Sequence, residues 1–179
     1  MRSTALVTLF IAAASLALPA TSFAGLPQPK NAMIKVPKKL GGVKTGMKIK
    51  DANKAWGKRG DCNFKGSFRQ CSYQSKNLEK GSAVIASNKK SGRVSEASIY
   101  AGLKGGNYNF KGPLMRFETK QGLGLGDKGS KIRKLYPKAK SYGNNTGYYV
   151  RGKGKTRMTL ETADGKRITA IRITDGTQG

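Results

Sequence analysis

Two cysteines, Cys62 and Cys71, have the most specific chemistry in this 179-residue chain. They close a loop of ten residues, and in an oxidising compartment such a pair forms a structural disulfide by default. A redox-active pair is the alternative, but it usually has the closer C-x-x-C spacing. Two thiolates are too few for a zinc site. We therefore predict a structural Cys62–Cys71 disulfide, no metal centre and no cofactor.

Catalytic machinery is hard to find in the sequence. The chain has no histidine, which excludes Ser-His-Asp triads and Cys-His dyads. Its carboxylates are scattered, and no pair suits a two-carboxylate hydrolase. The glycine-rich stretch 122–126 departs from the G-x-G-x-x-G spacing of dinucleotide-binding loops. A Ser–Lys nucleophile stays open, although no pair stands out, and we expect a protein that is not an enzyme.

Basic residues dominate the charge: 35 Lys and Arg stand against 9 Asp and Glu, for a formal net charge of +26. One interpretation is a solvated surface that keeps the protein dispersed or suits an envelope rich in negative charge. The other is a site for an anionic partner, either an acidic protein or an anionic polymer such as a cell-wall polymer or nucleic acid. Composition alone leaves both interpretations open.

Candidate partner-binding residues come from strand alternation near the C-terminus. Period two places every second side chain on the same face, so Arg157 points outward if Met158 points into the core. Tyr149 and Arg151 then point outward on the preceding strand, and Ile85 is a corresponding outward position in the first half of the chain. Tyr and Arg are enriched at protein interfaces, but the same residues also stack on bases and pair with phosphates.

The N-terminal segment, residues 1–24, is predicted to be a secretory signal peptide. It has a basic start, the apolar run Ala5–Leu18, and small residues at Ser22 and Ala24 before Gly25. The run is shorter than the ~20 residues that span a bilayer. We expect a protein that is secreted to the extracellular space or cell envelope, with no transmembrane segment after cleavage.

Two parts of the chain are similar to each other. At a shift of 80 residues Gly46 falls on Gly126, and at a shift of 74 residues Arg93 falls on Arg167. Internal similarity of this kind indicates a repeated structural unit. The predicted organisation is an extended arm at 25–33, a first αβ module at 34–100, a linker at 101–113 and a second αβ module at 114–179.

Each repeat is predicted to contain a short helix followed by strands. In the first, Ala52, Ala55 and Trp56 have the i, i+3, i+4 spacing of a helix face, and runs with period-two alternation follow. A helix of about two turns is not stable alone and must pack on other elements. We predict an α+β fold in which two tandem helix-loop-strand modules form one antiparallel sheet with the helices packed on one face.

The stretch GVKTGMKIKDANKAWG at 42–57, followed by Cys62 and Cys71, resembles the beta-lactamase-inhibitor-protein family. That family repeats a V-G-M-T…V…G…C module, and small outer-membrane-assembly lipoproteins share a related unit. The resemblance implies one concave antiparallel sheet whose exposed face binds a protein partner. The family's Thr at the helix N-cap is replaced by Lys48 and Lys128, which removes a capping oxygen.

These features together favour a secreted, non-catalytic binding protein, of which an inhibitor-like protein is one form. It would recognise an extracellular or envelope protein with an acidic surface through the open face of its sheet. A cationic binder of anionic polymer is the alternative. The salt dependence of binding distinguishes a protein partner from an anionic polymer. Affinity for a polymer falls steeply with salt concentration, whereas the affinity of a complex with aromatic anchors is less sensitive.

Overall fold

The computed structural model describes residues 25–75, 78–163 and 165–176, so the predicted signal peptide lies outside the described residues. Within these ranges the chain is mostly β-structure, and its two α-helices have seven residues each. No helix in these ranges has the length and apolar character needed to cross a lipid bilayer. The elements in chain order are β1 (Ile34–Lys35), β2 (Lys39–Leu40), α1 (Ile49–Ala55), β3 (Asp61–Lys65), β4 (Phe68–Gln74), β5 (Ser82–Asn88), β6 (Val94–Tyr100), β7 (Gly102–Lys104), β8 (Asn107–Asn109), a 3₁₀ turn (Pro113–Arg116), α2 (Gly129–Leu135), β9 (Lys140–Tyr142), β10 (Gly147–Arg151), β11 (Arg157–Ala163) and β12 (Arg167–Thr174).

Eight of these strands form one antiparallel sheet in the order β3-β4-β5-β6-β12-β11-β10-β9. Strands β6 and β12 pair at its centre, from Tyr100 opposite Ala170 to Glu96 opposite Thr174. On either side of this central pair, strands that are neighbours in the sheet are also neighbours in the sequence. We call β3–β6 the first half-sheet and β9–β12 the second half-sheet.

Side chains alternate between two faces along each strand, and only one face carries the core. Ile99 and Ile171 are paired across the centre of the sheet, and both are fully buried on this covered face. Their neighbours Ser98 and Arg172 point to the opposite side, which we call the open face. Other buried side chains of the covered face are Cys71, Tyr73, Ile85, Ala97, Met158, Leu160 and Ile173.

The layer on the covered face is mainly irregular rather than helical. Helix α1 and its C-cap contribute Ala52 and Trp56, and α2 contributes Ile132. Each helix buries so few residues because seven residues make only about two turns. Apolar residues of the short strand β2, of loops and of the 3₁₀ turn supply the rest of the layer. They are Leu40, Val43, Leu114, Phe117 and Leu123, all fully buried.

The predicted α+β class, with two helix-loop-strand modules and helices packed on one face, is therefore wrong. The apolar spacing does mark two helices, but each ends after seven residues, and strands dominate the fold. The covering layer also contains a close contact between its irregular segments. At Gly41, where φ is +56°, a Cβ atom would overlap the ring of Phe117.

The same contact ties the start of each helix to the sheet. Arg93 Nη1 donates a hydrogen bond to the Gly46 carbonyl at 2.7 Å, and Arg167 Nη1 donates one to the Gly126 carbonyl at 2.8 Å. Arg93 and Arg167 are 74 positions apart, and Gly46 and Gly126 are 80 positions apart. These are the two shifts at which the sequence is similar to itself. The module boundaries at 34–100 and 114–179 stay predictions, and the segment predicted as a linker contains the β7–β8 hairpin.

The outer edge of the first half-sheet is cross-linked. Cys62 on β3 lies directly opposite Cys71 on β4, and the two form a disulfide, which confirms that prediction. Behind them the Tyr73 ring packs edge-on against Trp56, with ring centroids 5.1 Å apart. The Tyr73 hydroxyl donates to Asn53 Oδ1, and burial raises the pKa of Tyr73 to about 12.

Candidate functional site

The open face is ordered in rows, because the strand registers align outward side chains across neighbouring strands. Three rows cross the central strands and the second half-sheet. One row holds Tyr100, Ala170 and Glu161; the next holds Ser98, Arg172, Thr159 and Tyr149; the third holds Glu96, Thr174, Arg157 and Arg151.

Three of the candidate residues lie together in these rows. Met158 is fully buried on the covered face, so its neighbour Arg157 points to the open face. Arg151 is directly opposite Arg157. The Arg151 guanidinium carbon lies 5.6 Å from the centroid of the Tyr149 ring. The structure therefore brings Tyr149, Arg151 and Arg157 onto one surface.

The fourth candidate, Ile85, is not on this surface, and its prediction as an outward residue is wrong. It is fully buried, and it is paired with Cys71 and Ala97 in the core. The outward residues of β5 are its neighbours Val84 and Ala86. Because this stretch of β5 is apolar at consecutive positions, alternation alone does not decide which residues face the core.

The second half-sheet, strand β6 and the flanking loops line a cavity of about 720 Å³ that opens to solvent on the open face. This volume is in the range of ligand-binding clefts, roughly 300–1,000 Å³. We call it the Tyr–Arg cavity. Its main lining side chains are Tyr142, Tyr149, Arg151, Arg157, Arg172, Glu96 and Glu161.

Arg172 forms the floor of the Tyr–Arg cavity and is flanked there by two carboxylates. Its guanidinium lies 3.4 Å from Glu96 Oε1 and 3.4 Å from Glu161 Oε1, and it donates to the Tyr100 hydroxyl at 3.4 Å. Burial disfavours the charged form, but Glu96, Tyr100 and Glu161 together raise the pKa of Arg172. The floor therefore holds two carboxylates for one guanidinium.

The two arginines at the rim of the Tyr–Arg cavity, Arg151 and Arg157, differ from Arg172 in their ion pairing. Among the residues that the structure describes, neither Arg151 nor Arg157 has an ion-pair partner. Two guanidinium groups without carboxylates, side by side on adjacent strands, create a positive potential at the mouth of the cavity. The arrangement favours an anionic group on whatever enters.

Two tyrosines form one wall of the same cavity. The rings of Tyr142 and Tyr149 have centroids 6.3 Å apart and are tilted by 41°. Burial and the nearby Glu161 raise the pKa of Tyr142, while Arg172 and Arg157 act in the opposite direction. Tyr142 therefore keeps its proton at neutral pH and offers a hydroxyl donor beside an apolar ring.

An exposed apolar cluster adjoins the Tyr–Arg cavity where the β7–β8 hairpin meets the sheet. Leu78, Leu103 and Tyr108 keep 44%, 47% and 48% of their surface exposed. With Tyr100 they line a second concavity of about 280 Å³, which we call the apolar notch. Glu161 lines both concavities, so the two are neighbours on one surface.

Sequence reasoning missed part of this site. Alternation would have found Arg172, because Ile171 and Ile173 on either side of it point to the core. No periodic signal marks Tyr142, which lies on a strand of three residues. The apolar notch is also invisible in the sequence, since Leu78 and Leu103 come from separate connections that meet only in the folded chain.

Comparisons with known proteins give little beyond this geometry. No protein-family model and no curated protein matches the chain. A solved structure of an extracellular protein containing an SCP domain, from Bacillus anthracis str. Ames, is similar with a TM-score of 0.46 and 10% sequence identity. The match covers 80% of this chain and 50% of the other, so the chain spans about half the length of that protein.

Proposed function

We propose that this is a secreted, non-catalytic binding protein that recognises a protein partner through the open face of its sheet. The observation that carries the proposal is the Tyr–Arg cavity, where Arg151 and Arg157 stand without ion-pair partners among the described residues, beside Tyr142 and Tyr149. Tyr and Arg are the residue types that, with Trp, contribute most to the affinity of protein interfaces.

The chemistry of the Tyr–Arg cavity supports binding rather than turnover. Its two carboxylates, Glu96 and Glu161, both lie 3.4 Å from the Arg172 guanidinium, and ion pairs of this kind suit a binding surface. The chain has no histidine to act as a general base. The cavity offers hydrogen-bond donors, rings and positive charge, which suit recognition of a surface.

The partner is proposed to be an acidic protein. Arg151 and Arg157 supply charge complementarity for carboxylates, and the net charge of +26 steers an acidic partner towards the molecule. The neighbouring exposed residues Leu78, Leu103 and Tyr108 favour a protein over a polymer. A sugar-phosphate or teichoic polymer has few apolar groups that would cover them.

Anionic polymer is the second candidate, because cations also cluster away from the open face. On the covered side of the β3–β4 hairpin, Phe64 is 63% exposed, with Lys89 Nζ 5.2 Å and the Arg69 guanidinium carbon 6.0 Å from its ring centroid. Cations around an exposed ring suit a polyanion. Polymer binding at such a surface would be insensitive to changes in the Tyr–Arg cavity.

The proposal also includes secretion of the protein and its origin from a duplicated segment. The apolar segment before Gly25 acts as a signal peptide, and the Cys62–Cys71 disulfide suits an oxidising compartment. The recurring contacts of Arg93 and Arg167 support a duplicated ancestral segment. The resemblance to the beta-lactamase-inhibitor-protein family, which implies protein recognition by a sheet face, is part of this proposal as well.

The test is a pull-down from culture supernatant and envelope extract at about 50 and about 500 mM salt. The chain beginning at Gly25 is compared with the double variant Arg151→Glu, Arg157→Glu. The control double variant, Lys44→Glu, Lys50→Glu, makes the same charge change at exposed positions of the covering layer.

We expect one partner protein to stay bound to the parent chain and to the control variant at high salt. The cavity variant should lose this protein. Retention of polymer alone, removed by salt equally from all three chains, would contradict the proposal.

A further inference from the structure

We infer that the apolar notch is an anchor pocket, and that the partner is a protein segment with an apolar side chain about four residues from a carboxylate. This inference rests on the proposed function and names the chemistry that the open face selects. It concerns the surface formed by Leu78, Leu103 and Tyr108, which lies outside the Tyr–Arg cavity.

The notch has the size and the lining of a pocket for one side chain. Its volume of about 280 Å³ is just below the range of whole-ligand clefts, which begins near roughly 300 Å³. Three large apolar side chains, Leu78, Leu103 and Tyr108, each leave almost half of their surface in water. Covering such a cluster with an apolar group is favourable by about 25 cal/mol for each Å² removed from water.

The notch is held in place by hydrogen bonds and a close backbone contact before any partner binds. Asn109 Nδ2 donates to the Glu79 carbonyl at 2.7 Å, which ties strand β8 to the connection that carries Leu78. The Ala101 amide donates to the Thr169 carbonyl at 2.8 Å, which anchors the start of the hairpin to β12. At Gly102 a Cβ atom would overlap the Glu79 carbonyl, so the two segments are in close contact. A preformed pocket of this kind reduces the ordering cost of binding.

The distance between the apolar side chain and the carboxylate of the partner follows from the strand geometry of the sheet. Glu161 borders the notch, and Arg157 lies four residues earlier on the same strand, about 13 Å away at ~3.3 Å per residue. An extended segment with an apolar side chain in the notch therefore brings a residue about four positions away to Arg157 and its neighbour Arg151.

Glu161 also determines which end of the partner segment carries the acidic group. Its carboxylate lies between the notch and the rim arginines, so a second acidic group placed near the notch would be repelled. The favoured segment has its apolar and acidic groups at opposite ends. An anionic polymer with uniformly spaced charges does not have this pattern.

The experiment selects peptides of about twelve residues, which extend to about 40 Å, from a random displayed library on the chain beginning at Gly25. Selected peptides are then titrated against Leu103→Asp, Tyr108→Ser, the double variant Arg151→Glu, Arg157→Glu, and the control Lys44→Glu, Lys50→Glu. Leu103 and Tyr108 are about half exposed, so their variants are expected to fold, and thermal melts check this.

We expect enriched peptides with an aromatic or aliphatic residue about four positions from Asp or Glu. Leu103→Asp and Tyr108→Ser should each weaken them at least about tenfold, and the arginine variant should weaken them as much, while the control matches the parent chain.

Acidic peptides without an apolar position, bound equally by the parent chain and Leu103→Asp, would overturn the anchor pocket but leave the proposed function standing. Failure to enrich any peptide, or peptides insensitive to the arginine variant, would count against the proposed function as well.

Discussion

The two half-sheets have matching frameworks and different open faces. A β-bulge follows Ala86 on β5 and Glu161 on β11, and positions at equal distances from the two bulges are structurally equivalent. Although Glu96 and Tyr100 of β6 correspond to the smaller Ala170 and Thr174 of β12, four other equivalent pairs on the open face hold a small or uncharged residue in the first half-sheet and Tyr or Arg in the second. The pairs are Ser72 and Tyr149, Gln74 and Arg151, Ser82 and Arg157, and Ser98 and Arg172.

Two contacts that hold the strands beside the bulges, by contrast, recur in both halves. Ser95 Oγ donates to the Ala86 carbonyl at 3.3 Å, and Thr169 Oγ1 donates to the Glu161 carbonyl at 3.4 Å, at equivalent positions beside the two bulges. The side chains that make these two contacts therefore recur, whereas the four open-face pairs differ. This difference supports the proposal that the partner binds at the second half-sheet.

The first half-sheet has features that suit a structural role. It contains the Cys62–Cys71 disulfide, and its Tyr73 packs against Trp56 of the covering layer. The second half-sheet has no cysteines, and its edge strand β9 has three residues, of which Tyr142 lines the cavity. Substitutions in the first half-sheet should therefore affect stability, and substitutions in the second should affect binding.

The largest effect on stability is expected at Trp56. It is fully buried, and its indole Nε1 donates to the Leu40 carbonyl at 3.2 Å. Trp56→Ala should lower the free energy of unfolding by about 3–5 kcal/mol, because it leaves a large cavity. Tyr136, the equivalent residue after α2, is only partly buried, and Tyr136→Ala should cost about 1 kcal/mol. Urea denaturation of both variants measures the difference, and equal losses would contradict the comparison.

Removal of the disulfide should have the next largest effect. Cys62→Ser with Cys71→Ser opens a ten-residue loop and should lower stability by about 2–3 kcal/mol in the loop-entropy model. Affinity for the selected peptides should stay the same, since the disulfide lies at the edge remote from the Tyr–Arg cavity. Chemical denaturation and peptide titration test the two statements, and a loss of affinity in a folded variant would argue against separate roles.

Alkaline pH should destabilise the protein through Tyr73. The folded-state pKa of Tyr73 is about 12 against an ordinary value of 10.0, so the contribution of its buried neutral hydroxyl is complete below pH 10. As pH rises from 10 to 12 the unfolded state loses this proton first, and up to about 2 kcal/mol of stability is lost. Tyr73→Phe should show a flatter decline of melting temperature over that window. Identical slopes for the two proteins would refute this assignment.

The smallest effects are expected on the open face of the first half-sheet. Ser72→Ala and Gln74→Ala change partly exposed positions that have no charge, so each should alter stability by less than about 0.5 kcal/mol. Peptide affinity should also be unchanged. A tenfold loss of affinity in either variant would extend the binding site into the first half-sheet.

Strand alternation in the sequence was informative where apolar and polar residues alternate clearly. Met158 and Leu160 enter the core, and this fixes the outward direction of Arg157. The same reasoning failed at Ile85, because its neighbours Val84 and Ala86 are also apolar and either face satisfies the pattern. Periodicity is decisive only where the two faces differ in polarity.

The fold class and the apolar notch depended on interactions distant in sequence. The apolar spacing that ends at Trp56 indicates a helix but not its length, and the covering layer is completed by Phe117 and Leu123 from irregular segments. Leu103 lies in a glycine-rich connection that suggested only a linker. Its partner Leu78 comes from a separate connection, so no local pattern joins them.

The most direct test converts the open face of the second half-sheet into that of the first. The triple variant Tyr149→Ser, Arg151→Gln, Arg157→Ser gives each position the residue of its equivalent, Ser72, Gln74 or Ser82. Calorimetric titration with the selected peptides should show a loss of affinity of about 100-fold or more, with a melting temperature close to that of the parent chain. Affinity within about twofold of the parent value, in a folded variant, would contradict the account.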